Sequence, residues 1–178
     1  MNNIIKETPA RKSNIFSPLL WRVLGGGFLL LLLATLSLQA QNNRIIDPNI
    51  RTVEVWAGDQ WGRLPVISLG GGTSDDVLTI AFDDMQHAYR RFSYKVQHCE
   101  ADWTPSDALF ESDYLEVFYN GLTIDDVTES INTQMLYTHY KMQFPNSQCQ
   151  LKMSGNYILT VIDDNADEEV LKVCFMVT

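Results

Sequence analysis

Asp163, Asn165 and Asp167 stand at alternate positions, the spacing with which a calcium loop begins. Such a loop needs glycine at its sixth position for a sharp turn and glutamate at its twelfth for bidentate ligation. Here those places hold Glu168 and Cys174, so an acidic hairpin turn is the better reading. Asp75-Asp76 and Asp83-Asp84 are read likewise, as solvated turn residues. The histidines His87, His98 and His139 lack zinc-site spacing to one another or to a cysteine pair. His98 shares strand parity with Phe92, Tyr94 and Val96, which predicts a hydrogen-bonded core histidine. No metal and no cofactor are expected.

Catalytic patterns are equally thin. The chain has no GxSxG elbow and no HExxH helix, and Gly70-Gly71-Gly72-Thr73 lacks the lysine of a phosphate-binding loop. Carboxylates are plentiful, but acid/base work needs two held across a cleft. No enzyme and no small-molecule substrate are expected. Cys99, Cys149 and Cys174 form an odd set without CxxC spacing. One disulfide plus a free thiol, or three buried thiols, fit equally. Trp56, Trp61 and Trp103 could stack on sugar rings, although large aromatics more often fill cores.

The elements that would position these groups lie behind an N-terminal address. Lys6, Arg11, Lys12 and Arg22 precede an apolar run from Val23 to Leu36, and Ser37-Leu38-Gln39-Ala40 follows it. This is the pattern of a secretory signal peptide over residues 1–40, too short and glycine-rich for a membrane span. No cysteine lies near the predicted cut, so no lipid anchor is implied. The 178-residue chain carries a net charge of -9. Losing Lys6, Arg11, Lys12, Arg22 and Glu7 with the signal brings it to -12. Such acidity excludes phosphate-tracking nucleic-acid binding and docking on anionic headgroups.

Residues 41–49 read as a leader and 50–178 as one domain. Alternation is its main signal. Val53 and Val55 suggest a first strand, and Leu64 to Leu69 a second, in which Pro65 requires an edge position or a place near the strand's own start. Alternating runs follow at Leu78–Phe82, Phe92–His98, Tyr140–Phe144, Tyr157–Val161 and Leu171–Val177. Gly58-Asp59, Asn120-Gly121, Pro145-Asn146 and Ser154-Gly155-Asn156 punctuate them. Asp107 to Tyr119 is ambiguous and has room for a helical turn. Seven to nine short strands in this length predict an all-β, antiparallel β-sandwich of immunoglobulin-like or fibronectin-III-like kind. Thr138-His139-Tyr140 resembles a tyrosine corner, in which a Tyr hydroxyl bonds nearby backbone.

The most distinctive words are His98-Cys99-Glu100-Ala101-Asp102-Trp103-Thr104-Pro105-Ser106, Tyr137-Thr138-His139-Tyr140, Phe144-Pro145-Asn146 and Ser154-Gly155-Asn156-Tyr157. Ser112-Asp113-Tyr114-Leu115 and Ser130-Ile131-Asn132-Thr133 lie between them. In this order and spacing they resemble the N-terminal domain of the plug proteins of type IX secretion in Bacteroidota, over roughly Ile50 to Thr178. The resemblance implies a non-catalytic periplasmic stopper at the inner face of the outer membrane. Its partner would be the very large β-barrel translocon, whose periplasmic mouth it would seal. Such proteins continue with further β-rich sequence, whereas this sequence ends at Thr178 after a closing strand. That strand pattern predicts independent folding. A secreted glycan-binding module is the alternative. The loop from Asp102 to Tyr119, with Trp103, Phe110, Tyr114 and Phe118, is the expected partner surface, because loops on a rigid scaffold commonly carry binding residues.

Overall fold

The computed structural model describes residues 43–70, 76–86, 88–118 and 122–178. The predicted signal segment, the start of the leader, Gly71-Gly72, Asp75, His87 and the Asn120-Gly121 turn lie outside the described residues. The described chain is all-β apart from one helical turn. Its strands are β1 (Arg44–Ile45), β2 (Ile50–Ala57), β3 (Val66–Ile67), β4 (Leu78–Asp84), β5 (Phe92–Cys99), β6 (Leu115–Phe118), β7 (Leu122–Thr123), β8 (Asp126–Glu129), β9 (Thr138–Phe144), β10 (Cys149–Leu151), β11 (Gly155–Asp163) and β12 (Glu168–Val177). The turn α1 (Glu111–Tyr114) precedes β6.

Two sheets share one core. The first runs β1-β12-β11-β5-β7, and the second β2-β4-β9-β8. A ribbon of β6 and β10 stands beside them. These pairings are antiparallel except that of β3 with β12. The alternation explains the faces. Along β5, Phe92, Tyr94 and Val96 are buried while Lys95 is exposed. Along β9, Thr138, Tyr140, Met142 and Phe144 are buried. Aromatic contacts lock the sheets together. Tyr140 stacks on Phe82 with centroids 5.3 Å apart and meets Phe92 edge-on at 4.8 Å. Phe144 from one sheet meets Phe175 of the other at 5.4 Å. Beyond its area, each such pair contributes about 0.5–1.5 kcal/mol.

The outer edge of β12 is covered along most of its length. β1 pairs with it, the Asn43 side chain accepts from Cys174 N, and Pro65 O and Ile67 O accept from Met176 N and Thr178 N. An edge so occupied cannot recruit another strand. The expected second strand, Leu64 to Leu69, is only the two residues of β3. Pro65 has no N–H for a ladder, so pairing begins after it.

Three expectations are corrected by side-chain placement. Asp84 is fully buried and Asp163 nearly so, not solvated. Both hold Arg90, whose Nη2 donates to Asp163 Oδ2 at 2.6 Å and whose Nη1 reaches Asp84 Oδ2 at 3.4 Å. Arg90 Nη1 also donates to Asp47 Oδ2 at 2.9 Å, bolting the leader to both sheets. The Arg90 guanidinium carbon lies 5.0 Å from the Phe92 ring centroid. Tyr140 is not a tyrosine corner. Its hydroxyl accepts from Arg90 N and donates to Arg90 O, fifty residues away. The corner geometry belongs to Tyr157, whose hydroxyl donates to Met153 O at 2.6 Å, four residues upstream. All three cysteines are buried, and none of them is in a disulfide. β11 lies between the strands of Cys99 and Cys174, which separates those two beyond disulfide reach.

Candidate interaction site

The segment leaving β5 is built to be rigid. Asp102 Oδ1 accepts from Thr104 N at 3.1 Å and from Thr104 Oγ1 at 2.6 Å. These bonds hold the Asp102 carboxyl below its usual range. Glu100 N donates to Thr104 O, and Trp103 N to Glu100 O, closing a tight turn with Trp103 at φ 67°. Asn156 Nδ2 donates to Glu100 O at 3.1 Å and ties the turn to β11.

Beneath the turn lies a polar cluster. Ser106 Oγ donates to Glu100 Oε1 at 2.7 Å, so its contact with His98 Nδ1 at 2.8 Å is one it accepts. A nucleophilic serine needs the opposite arrangement, with histidine taking its proton. The other ring nitrogen, Nε2, faces Gly155, where an added Cβ would collide with it. Ser106 is itself buried. This trio holds a loop in place. The expected hydrogen bond of His98 is present and its ring packs edge-on against Tyr157 at 5.1 Å, but the residue is half-buried and not a core residue.

The expected interface residues separate into different environments. Asp102 is exposed and Trp103 half-buried. Phe110 is 78% exposed, and its backbone N–H is capped by Asp113 Oδ2 at 2.8 Å. Tyr114 is buried, with its hydroxyl donating to Val96 O at 3.4 Å and its ring against His98 and Tyr157. Burial raises its pKa, and nearby Glu111 adds to the effect. Tyr114 therefore supports the loop from behind. Phe118 pairs through its backbone with Cys149 in the β6–β10 ribbon. The segment is strongly acidic, holding Glu100, Asp102, Asp107, Glu111, Asp113 and Glu116 and neither Lys nor Arg.

Parity could not reveal that Tyr114 turns inward, because the turn α1 resets the phase just before β6. Sequence reasoning also passed over a second exposed group, at the β8–β9 connection. Ile131 is 80% exposed, Met135 68% and Leu136 45%. Apolar residues in a loop were the available signal.

The fold and these surfaces define an antiparallel all-β domain that presents rigid loops, a class suited to binding other macromolecules. Residues 50–178 match the family described as the type 9 secretion system plug protein 1st domain. The chain belongs to that family. It is also similar to a solved structure, a hypothetical protein from Parabacteroides merdae, at 35% identity and a TM-score of 0.71. That match covers 78% of this chain and 34% of the other, so this chain spans about a third of its relative's length. No curated protein matches the chain.

Proposed function

We propose that the chain is an exported, non-catalytic module that acts in type IX secretion by docking at the periplasmic end of the outer-membrane translocon. The family match across residues 50–178 carries this reading. The rigid acidic loop after β5 supports it, since a stopper needs shape, an interface and release, not chemistry. Residues 1–40 serve as the signal peptide in this reading, 41–49 as the leader and 50–178 as the functional domain.

The domain is proposed to be an immunoglobulin-like sandwich. This reading is supported by the order β2-β4-β9-β8 opposite β12-β11-β5, which parallels the ABED and GFC sheets of that fold with β7 added beside β5, and by the Tyr157 bond, which resembles its tyrosine corner. The proposed partner contact is Asp102, the exposed edge of Trp103, and Phe110, with Tyr114 and the Phe118 strand behind them. The glycan reading has less support. Trp61 is 74% exposed, but its Nε1 donates to Glu54, and Trp103 is half-buried on another loop.

The test is affinity purification of C-terminally tagged full chain from the envelope of its own host, followed by mass spectrometry. Recovery of one very large outer-membrane barrel is expected. Recovery without the barrel would overturn the proposal.

A further inference from the structure

The β8–β9 connection is an apolar tip held in one shape. Ser130 N donates to Tyr137 O at 2.9 Å, and Ser130 Oγ accepts from Tyr137 N at 2.8 Å. Thr133 Oγ1 donates to Met135 O at 2.8 Å, and Asn132 adopts φ 58°. These bonds close the loop on itself, and Ile131, Met135 and Leu136 stand out from it into solvent. Ile131, Met135 and Leu136 fall within one short closed loop, and large exposed apolar patches mark interaction sites. Preorganisation of the loop removes part of the ordering cost of binding.

The surroundings define what would fit. Asp125, Asp126 and Glu129 are exposed on the approach to the tip. Asp167 and Glu168 are exposed on the β11–β12 hairpin, where Asp164 pairs with the exposed Arg91 at 3.1 Å and leaves the hairpin acidic on balance. That hairpin belongs to the same end of the domain. Thr138, the first residue of β9, pairs with Asp84, and Arg90 joins Asp84 to Asp163. Lipid with anionic headgroups is repelled by such a rim.

We propose that this tip is a second docking surface, and that it inserts into an apolar pocket ringed by Lys and Arg on the translocon barrel. The identity of the partner rests on the function proposed above, whereas the chemistry of the surface rests on the exposed tip and its acidic rim. The domain then grips the translocon with loops at both ends.

The experiment places a photoreactive benzoylphenylalanine at Ile131, or at Phe110, in the tagged full chain expressed in its host. Ile131→Ser/Met135→Ser/Leu136→Ser and Glu129→Lys are prepared alongside, and thermal melting checks that each is folded. The expected result is a crosslink from position 131 to the barrel. The triple variant loses at least about thirtyfold of barrel retention without a lower melting temperature, as expected for a central hot spot. Glu129→Lys weakens retention, and raising salt weakens that of the parent chain. If the parent retains the barrel but position 131 does not crosslink, or the triple variant retains it fully, the second surface is refuted and the proposed function stands. Unchanged retention by Glu129→Lys together with salt independence refutes the basic pocket. If the parent retains no barrel, the proposed function fails and this partner with it.

Discussion

Replacing Arg90 by methionine keeps most of the side chain's length and removes its charge. The Arg90 side chain is 12% exposed and lies among Asp47, Asp84 and Asp163, with side-chain exposures of 14%, 0% and 6%. The variant leaves these carboxylates without their cation. Breaking a buried pair by removing one partner costs about 3–5 kcal/mol, because the remaining charge is uncompensated. The contact with Phe92 adds about 0.5–2 kcal/mol to the loss. Domains are stable by only about 5–15 kcal/mol, so the variant sits near the edge of folding. In thermal melting the loss is on the order of 10–20 °C for a domain of this size.

The pH dependence gives the sharper check. Burial pushes the Asp47 and Asp163 carboxyls upward, but hydrogen bonds overcome it: from Asn49 and Arg90 to Asp47, and from Arg90 and Asn165 to Asp163. Both end below their ordinary value. A depressed carboxyl contributes stability that is complete above its unfolded pKa of about 4 and disappears as pH falls through the folded value. Without Arg90 the same carboxyls lose its hydrogen bonds and its charge and rise, while the bonds from Asn49 to Asp47 and from Asn165 to Asp163 remain. The variant is then worst near neutrality and recovers relative to the parent as acid neutralises them. Urea unfolding of both chains at pH 7, 5 and 3.5 measures the gap. A gap below about 1 kcal/mol at pH 7, or one that does not narrow with acid, refutes the reasoning.

Other outcomes follow from the same structure. Gly155→Ala places a Cβ against His98 at φ 148°, so a loss of about 2 kcal/mol or more is expected in urea unfolding. Tyr157→Phe removes the bond to Met153 O and costs about 1–2 kcal/mol, measured the same way. Burial pushes the Cys99 and Cys149 thiols up to about 11. With Cys174 also buried, N-ethylmaleimide at pH 8 is expected to leave the folded chain unmodified. Mass spectrometry then finds three adducts only after denaturation. Phe110→Ser should leave melting unchanged, within about 0.5 kcal/mol, while reducing barrel recovery in envelope purification.

What alternation could reveal, it revealed. Phe92, Tyr94 and Val96 face inward with Leu159 and Val161 because a strand with one dry face must place every second side chain there. The short strands β1, β7 and β8 were not legible. Two to four residues carry too little period, and their pairing is decided by the edges they meet. The tyrosine corner was placed at the wrong Tyr for a related reason. Tyr140 and Tyr157 both begin buried stretches, and only the fold decides which hydroxyl has a carbonyl four residues upstream within reach.

The Arg90 cluster shows the deeper limit. Its carboxylates lie 43, 6 and 73 residues from the arginine, and two of them, Asp84 and Asp163, stand in Asp-Asp and Asp-Asp-Asn segments that read as solvated turn. Composition is a local property, whereas the burial of Asp84 and Asp163 follows from β4, β9, β5 and β11 bringing their ends to one place. The exposed Ile131, Met135 and Leu136 invert that situation. Locally they read as core residues, yet the described residues leave them exposed. A fold that buries aspartates and displays large apolar groups at the same end has spent specific contacts on holding that end rigid. Rigidity there is of use chiefly to a domain that must meet a fixed partner surface, because preorganised loops lose less entropy when they dock.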